Sequence, residues 1–174
     1  MPTTRSPLAA LTALVALALP GCRTAREARV ADAPTDFLGT WVGTLHSPGR
    51  ADGRTVTMRL VVTPIAGAAD RLRWQLGYGD DDVRDYVLRI DDAATGRCTI
   101  DERNGIELAA RFAAGELVSV FAVGGQLLDV RYRRVADAVE FALEAFDRDG
   151  GEATGQGVST FPTVSRQRAT LRRQ

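Results

Sequence analysis

Through most of this chain apolar and polar residues alternate at a period of two, and that period dictates strands with one buried face rather than helices. Val56, Met58, Leu60 and Val62 share a face opposite Thr55, Thr57 and Arg59. Leu72, Trp74, Leu76 and Tyr78 stand against Arg71, Arg73 and Gln75. Tyr86, Leu88 and Ile90 oppose Asp85 and Arg89, and Leu128, Val130 and Tyr132 oppose Asp129, Arg131 and Arg133. Val139, Phe141 and Leu143 repeat the pattern against Glu140 and Glu144. Long runs at helical spacing are absent from residues 37–171.

Turn chemistry separates these runs at short intervals: Asp80-Asp81-Asp82, Ala94-Thr95-Gly96, Asn104-Gly105, Ala114-Gly115, Gly124-Gly125 and Asp137. Asn104-Gly105 carries the strongest signal and predicts a two-residue type I′ hairpin turn, which needs positive φ at both central positions. Strands joined this closely run antiparallel, so the chain reads as an all-β up-and-down meander of about nine or ten strands, enough to close into a barrel and remove exposed edges. A two-sheet sandwich is the alternative closure. The lack of a long crossover before Asp147 favours the barrel, with residues 148–160 expected as a long flexible loop. Residues 161–171 are expected as the last strand, paired with the first, and the whole β-domain occupies residues 37–174.

Ahead of this domain lies a segment of different character. Arg5 and the starting amine supply positive charge, and residues 8–19 form an apolar run interrupted by one Thr. That is the length of a signal h-region and too short for a bilayer core of about 30 Å. The run ends in Leu19-Pro20-Gly21-Cys22, which resembles the bacterial lipobox, with Pro20 where a small residue is usual. The resemblance implies a signal peptide over residues 1–21 and acylation of Cys22. A flexible tether over residues 22–36 would follow. Each buried CH₂ of such an anchor contributes about 0.8 kcal/mol, so two or three acyl chains, palmitate among them, would hold the protein on a membrane. Arg23, where Asp would retain a lipoprotein in the inner membrane, implies the periplasmic side of the outer membrane in a two-membrane host. An ordinary secretory signal is the alternative reading.

Composition narrows the partners. The 22 basic residues, all Arg, balance 22 acidic ones, and the charges are interspersed. No nucleic-acid footprint follows from that distribution. Cys98 is the second of two cysteines, so acylation of Cys22 leaves no disulfide and stability must come from packing.

Gly39-Thr40-Trp41 on the first strand, together with Arg166 and Arg168 on the last, is similar to the signature of the lipocalin-like, or calycin, barrels. Their second motif, Thr-Asp-Tyr, has no match here. The resemblance implies that Trp41 plugs the barrel base, with Gly39 and Arg168 completing the closure. Barrels of this size hold one small ligand or are filled by their own side chains. Trp74, Tyr78, Tyr86, Tyr132 and Phe141, with Phe112 and Phe121, are the candidate lining. Such a lining suits a hydrophobic small molecule or lipid, with tyrosine hydroxyls to orient a polar end. The same residues equally read as plain core. In that case the protein is a non-catalytic structural or protein-interaction domain of the envelope, acting through surfaces such as the charged hairpin tip at residues 100–107.

Catalytic, metal and cofactor constellations are not expected. His46 is the single histidine and sits beside a turn, and Ser47 lacks a nucleophile-elbow context. Cys98 alternates with Ile100 on an apolar face and reads as a buried, inert thiol. Asp80, Asp81 and Asp82, and Asp147, Asp149 and Glu152, could be read as calcium ligands but suit solvated acidic turns better.

Overall fold

The computed structural model describes residues 33–47 and 55–174. The expected signal peptide, Cys22 and residues 23–32 of the expected tether lie outside the described residues. After a short 3-10 helix at Pro34–Phe37 come twelve strands: β1 (Gly39–His46), β2 (Thr55–Ile65), β3 (Ala68–Tyr78), β4 (Asp82–Asp92), β5 (Arg97–Asp101), β6 (Glu107–Ala113), β7 (Glu116–Val123), β8 (Gln126–Val135), β9 (Ala138–Asp147), β10 (Glu152–Gly155), β11 (Val158–Thr160) and β12 (Thr163–Arg173).

Ten of these close a ring in the order β1-β12-β9-β8-β7-β6-β5-β4-β3-β2, each neighbour antiparallel. The sandwich alternative is excluded, because β12 returns beside β1 with Trp41 opposite Arg173 and His46 opposite Arg168. Expected alternation becomes burial: Met58, Leu60, Val62, Leu72, Trp74, Leu76, Leu88, Leu117, Val139, Phe141 and Leu171 all point inward and are at most 3% exposed. The described core lies entirely between Phe37 and Leu171. Residues 33–174 thus carry the hydrogen-bonded ring and the described core.

Two local expectations are corrected. Asn104-Gly105 does not form a two-residue turn. β5 stops at Asp101 and β6 starts at Glu107, and Glu102 N donates to Ile106 O across a wider loop. Positive φ falls on Arg103 (59°) and Gly105 (95°), while the Asn104 side chain instead accepts from Ile106 N at 3.0 Å. The two-residue pattern with both φ values positive occurs at Gly124-Gly125 (53° and 77°), between Val123 and Gln126. The second correction is at residues 148–160, where β10 and β11 pair as a hairpin standing beyond the ring between β9 and β12.

Because the strands alternate in direction, one end of the barrel gathers Gly39, Val135, Ala138 and Arg173. The other gathers His46, Tyr78, Asp82, Asp101, Val123 and Asp147. These two ends are built differently, and that difference positions the site.

Candidate functional site: the open end of the barrel

The first end is shut. The 3-10 helix turns Phe37 into the barrel, where it is fully buried, 5.3 Å from the Trp74 ring and 6.3 Å from Phe112. Trp41, also fully buried, donates from Nε1 to the Phe37 carbonyl at 2.7 Å. Two guanidinium groups cover the indole, Arg134 at 4.5 Å and Arg173 at 4.8 Å from the ring centroid. They also tie the helix down: Arg134 Nε donates to Asp36 O at 3.3 Å, and Arg173 Nη2 to Leu38 O at 2.6 Å. Burial, then repulsion from Arg173, pulls the Arg134 pKa down.

The cations over Trp41 are therefore Arg134 and Arg173, not Arg168. Arg168 and Arg166 lie on the outward face of β12, where both pair with Glu144, at 3.2 Å and 2.9 Å. Sequence position misled here because β12 runs to Arg173, two residues past the expected end, so the base of the barrel lies further along the chain. The motif residue Gly39 does sit at the base, under the Arg173 guanidinium.

Above the plug, aromatic side chains fill the middle of the barrel. Trp74 meets Tyr132 edge-on at 5.2 Å, Tyr132 meets Phe141 at 5.2 Å, and Tyr132 hydrogen-bonds Trp74. Trp74, Tyr132 and Phe141 are at most 4% exposed. Three of the five candidate lining residues thus form the floor of the open end.

The other two are half-buried: Tyr78 stands at the end of β3, and Tyr86 lies opposite Trp74 across β3 and β4. Around them the inward residues Leu108, Phe121, Leu128, Val130 and Leu143 are also only half-buried. Val130 and Leu143 face each other across β8 and β9 in mid-strand. These side chains pack against the core and are less completely buried than those nearer the plug.

Arg84 is a candidate that the sequence reading missed. It lies on the inward face of β4, opposite Leu76 and two residues from Tyr86. Its guanidinium stacks 5.1 Å from the Tyr78 centroid, hydrogen-bonds Tyr86, and reaches Asp82 only at 3.5 Å. Burial works against the Arg84 charge, but the hydrogen bonds to Tyr86 and Asp82 outweigh it and raise its pKa. The signal was present in the alternation of β4, where Arg84 shares the parity of Tyr86 and Leu88.

Burial pushes the Tyr78 hydroxyl up to about 12, with Arg84 pulling the other way. Burial also raises Tyr86 and holds Tyr132 far above the ordinary phenol range. A phenol whose folded pKa exceeds its unfolded value of about 10 keeps its proton in the native state while the unfolded chain loses it. The unfolded state then binds fewer protons, so stability falls as pH rises from about 10 towards 12. Denaturant titrations across that range, read beside tyrosinate absorbance, are expected to show unfolding preceding ionisation of the buried phenols.

The other candidates divide between the surface and the core. His46 is exposed at the end of β1, Ser47 follows it, and Cys98 is 1% exposed inside the barrel, where burial raises its pKa. Asp80, Asp81 and Asp82 lie at the β3–β4 turn. Asp147 accepts from Gly150 N at 2.8 Å and thereby caps the approach to the β10–β11 hairpin.

A closed antiparallel meander, plugged at one end and open to apolar side chains at the other, defines a lipocalin-like barrel. No protein-family model matches the chain, and neither does any curated protein. Among solved structures it is similar to the S-type phycobiliprotein lyase CPES from Guillardia theta, at 12% identity and a TM-score of 0.50, over 79% of this chain and 88% of that one. It also matches the fluorescent protein UnaG at 14% identity and TM-score 0.47, over 80% and 98% of the two chains. Rv2717c from M. tuberculosis matches at 15% identity and TM-score 0.45, over 79% and 92%. At these identities the likeness is one of fold.

Proposed function

We propose that the protein is a bacterial envelope lipoprotein whose barrel binds a hydrophobic small molecule or lipid in its open half, while Cys22 anchors it to a membrane. The observation that carries the binding reading is the incomplete burial of Val130 and Leu143, which point inward at mid-strand. A barrel filled by its own side chains would bury such residues as completely as it buries Phe141 and Val139, both at most 2% exposed.

The anchor rests on the lipobox-like run at residues 19–22. The chain joins the barrel at the plugged end, through Pro34–Phe37, so a tether leading from Cys22 would attach at the end opposite the mouth. Cargo would then be collected from or delivered to the aqueous space of the envelope. The reading is one of binding rather than catalysis, since the groups that converge at the mouth suit holding a ligand: Arg84, two neutral phenols and apolar walls.

Native mass spectrometry of residues 33–174, secreted and purified without detergent, tests the binding. A stoichiometric retained mass that is lost on denaturation is expected. Replacing Leu143 with Trp would put an indole into the proposed space, and retention is expected to vanish at a stability cost of at most about 3 kcal/mol. A bare polypeptide mass that stays bare after exposure to mixed lipids would support the filled barrel instead. The anchor is tested separately, by the mass of the N-terminal peptide from membrane-extracted full chain, where a diacylglyceryl adduct on Cys22 is expected.

A further inference from the structure

One strand of the ring, β7, is apolar on its outer face as well as its inner. Leu117 and Ser119 are buried inside the barrel, and Val118, Val120 and Ala122 follow Glu116 along the outside. A strand with one solvated face alternates apolar with polar, whereas a strand covered on both sides is apolar throughout. Val120 is nevertheless 51% exposed. Together with Ala109, Arg111 and Ala113 of β6, Val118 and Val120 line a groove of about 440 Å³ on the outer wall.

The charges beside this groove stand in like pairs. Cys98, Ile100 and Ala110 are buried, so Arg97, Thr99 and Asp101 of β5 and Glu107, Ala109 and Arg111 of β6 take the outward positions. The register sets Arg97 opposite Arg111 and Asp101 opposite Glu107, with Thr99 opposite Ala109 between them. Like charges directly opposite on neighbouring strands repel. Neither arginine makes an ion pair among the described residues. Arg97 meets Asp91 and Asp92 only at longer range, and those carboxylates are held by Arg89, Thr99 and Thr95. The acids are answered in part: Asp101 accepts from the Arg103 amide at 2.7 Å, and Glu107 shares Arg89 with Asp91.

We infer that this face is covered by a second copy of the chain, in a two-fold dimer that stacks β5, β6 and β7 on the same strands of the other copy. A half-turn about an axis lying in the interface, across β5 and β6 above Thr99 and Ala109, reverses the strand direction of the second copy. Its Asp101 and Glu107 then lie over Arg97 and Arg111, and its two arginines over the first copy's acids. Both repulsive pairs gain opposite charges, and the pattern is self-complementary as a two-fold contact requires. The same operation brings the Val118 and Val120 side chains of the two copies together and removes them from water. A foreign protein would cover the groove equally, yet nothing in a foreign contact calls for charges inverted about their own centre. The contact lies on the wall of the barrel, away from mouth and plug, and does not depend on what the barrel holds.

Sedimentation equilibrium of the full chain in density-matched detergent measures the mass directly. A dimer is expected, weakened by rising ionic strength because its charge pairs lie near the surface. Val120→Glu, which places a charge in the groove, is expected to dissociate it. Two further variants separate the contact from any general weakness of the fold. Arg97→Glu with Arg111→Glu makes the charged patch wholly acidic, and Asp101→Arg with Glu107→Arg makes it wholly basic. Each is expected to be a monomer alone, and an equimolar mixture of the two is expected to form a heterodimer. All four side chains lie on the outer face, and circular dichroism checks that both variants keep the β fold. A wild type that is monomeric at every concentration would overturn the inference and leave the groove to a foreign partner. A dimer indifferent to salt and to the charge reversals would overturn it as well, and so would folded variants that stay monomeric when mixed.

Discussion

Replacing Trp41 with Ala is expected to cost about 4 kcal/mol, the largest effect of any single side chain in the molecule. Truncating a fully buried Trp typically costs about 3 to 5 kcal/mol through lost transfer energy and the cavity left behind. Here the consequences spread further, because the indole organises three other elements. Its Nε1 holds the Phe37 carbonyl at 2.7 Å, and without it that carbonyl loses its partner at the buried base. Arg134 and Arg173 lose the ring on which both rest, and two like charges are left facing one another. The bonds from these two arginines to Asp36 and Leu38 would still tie the 3-10 helix to the barrel. Domains of this size are stable by about 5 to 15 kcal/mol, so the variant would sit close to its unfolding threshold. Urea titration checks the magnitude. Trp41→Phe separates the contributions, since it keeps most of the apolar volume and the cation–π faces while removing the N–H donor, and should lose about half as much. Equal midpoints for wild type and Trp41→Ala would show that the plug does not stabilise the barrel.

The second large effect is expected at Gly43, in the seam that closes the ring. A Cβ there would stand 2.2 Å from the Thr170 carbonyl oxygen and 3.1 Å from a Leu171 methyl. The first of these is backbone and cannot rotate away, so Gly43→Ala must push β1 from β12. We expect a loss of about 3 kcal/mol, the upper part of the range for overpacking a close-packed site. Local damage should exceed the global loss. Amide exchange is expected to speed up first along the seam, where Val42 faces Arg172 and Leu45 faces Ala169, before it rises in β5 and β6 across the barrel. Uniform acceleration in all strands would mean that the ring opens as one unit. Gly67 is a suitable control for the space argument, because a Cβ there meets nothing within 4 Å, although its positive φ of 75° adds a penalty of its own.

The same residues show where sequence reading stopped. Period-two alternation placed Trp74, Leu76 and Tyr78 on one face of β3 and Val139, Phe141 and Leu143 on one face of β9, and short turns made their neighbours antiparallel. Those are local quantities, governed by the pleat of a strand and the φ values of a turn, and a sequence states them directly. Even here the reading had limits. Asn104-Gly105 looked like the tightest turn, yet the pairing of Asp101 with Glu107 ends the ladder early and leaves a wider loop. That register depends on contacts between strands, which no dipeptide specifies.

The alternation of β12 likewise separated Ala169 and Leu171 from Arg166 and Arg168, and the opposite parity of those two arginines already turned them away from the core. What parity could not supply was height along the barrel. The tilt and stagger of ten closed strands decide which inward residues fall at the plug, which at the aromatic floor and which at the mouth. Five aromatic candidates of one sequence type were therefore divided, with Trp74, Tyr132 and Phe141 buried and Tyr78 and Tyr86 left half-buried. The same closure brought Arg134 and Arg173, from different strands, onto the Trp41 ring, and placed Arg84 beside Tyr78 at the other end. The sequence by itself determined an all-β meander and the inward parity of its residues, because both follow from neighbours along the chain. Which end is sealed, which is less tightly filled and where Arg84 falls were decided by the tertiary structure alone, because they depend on stagger summed around a closed ring.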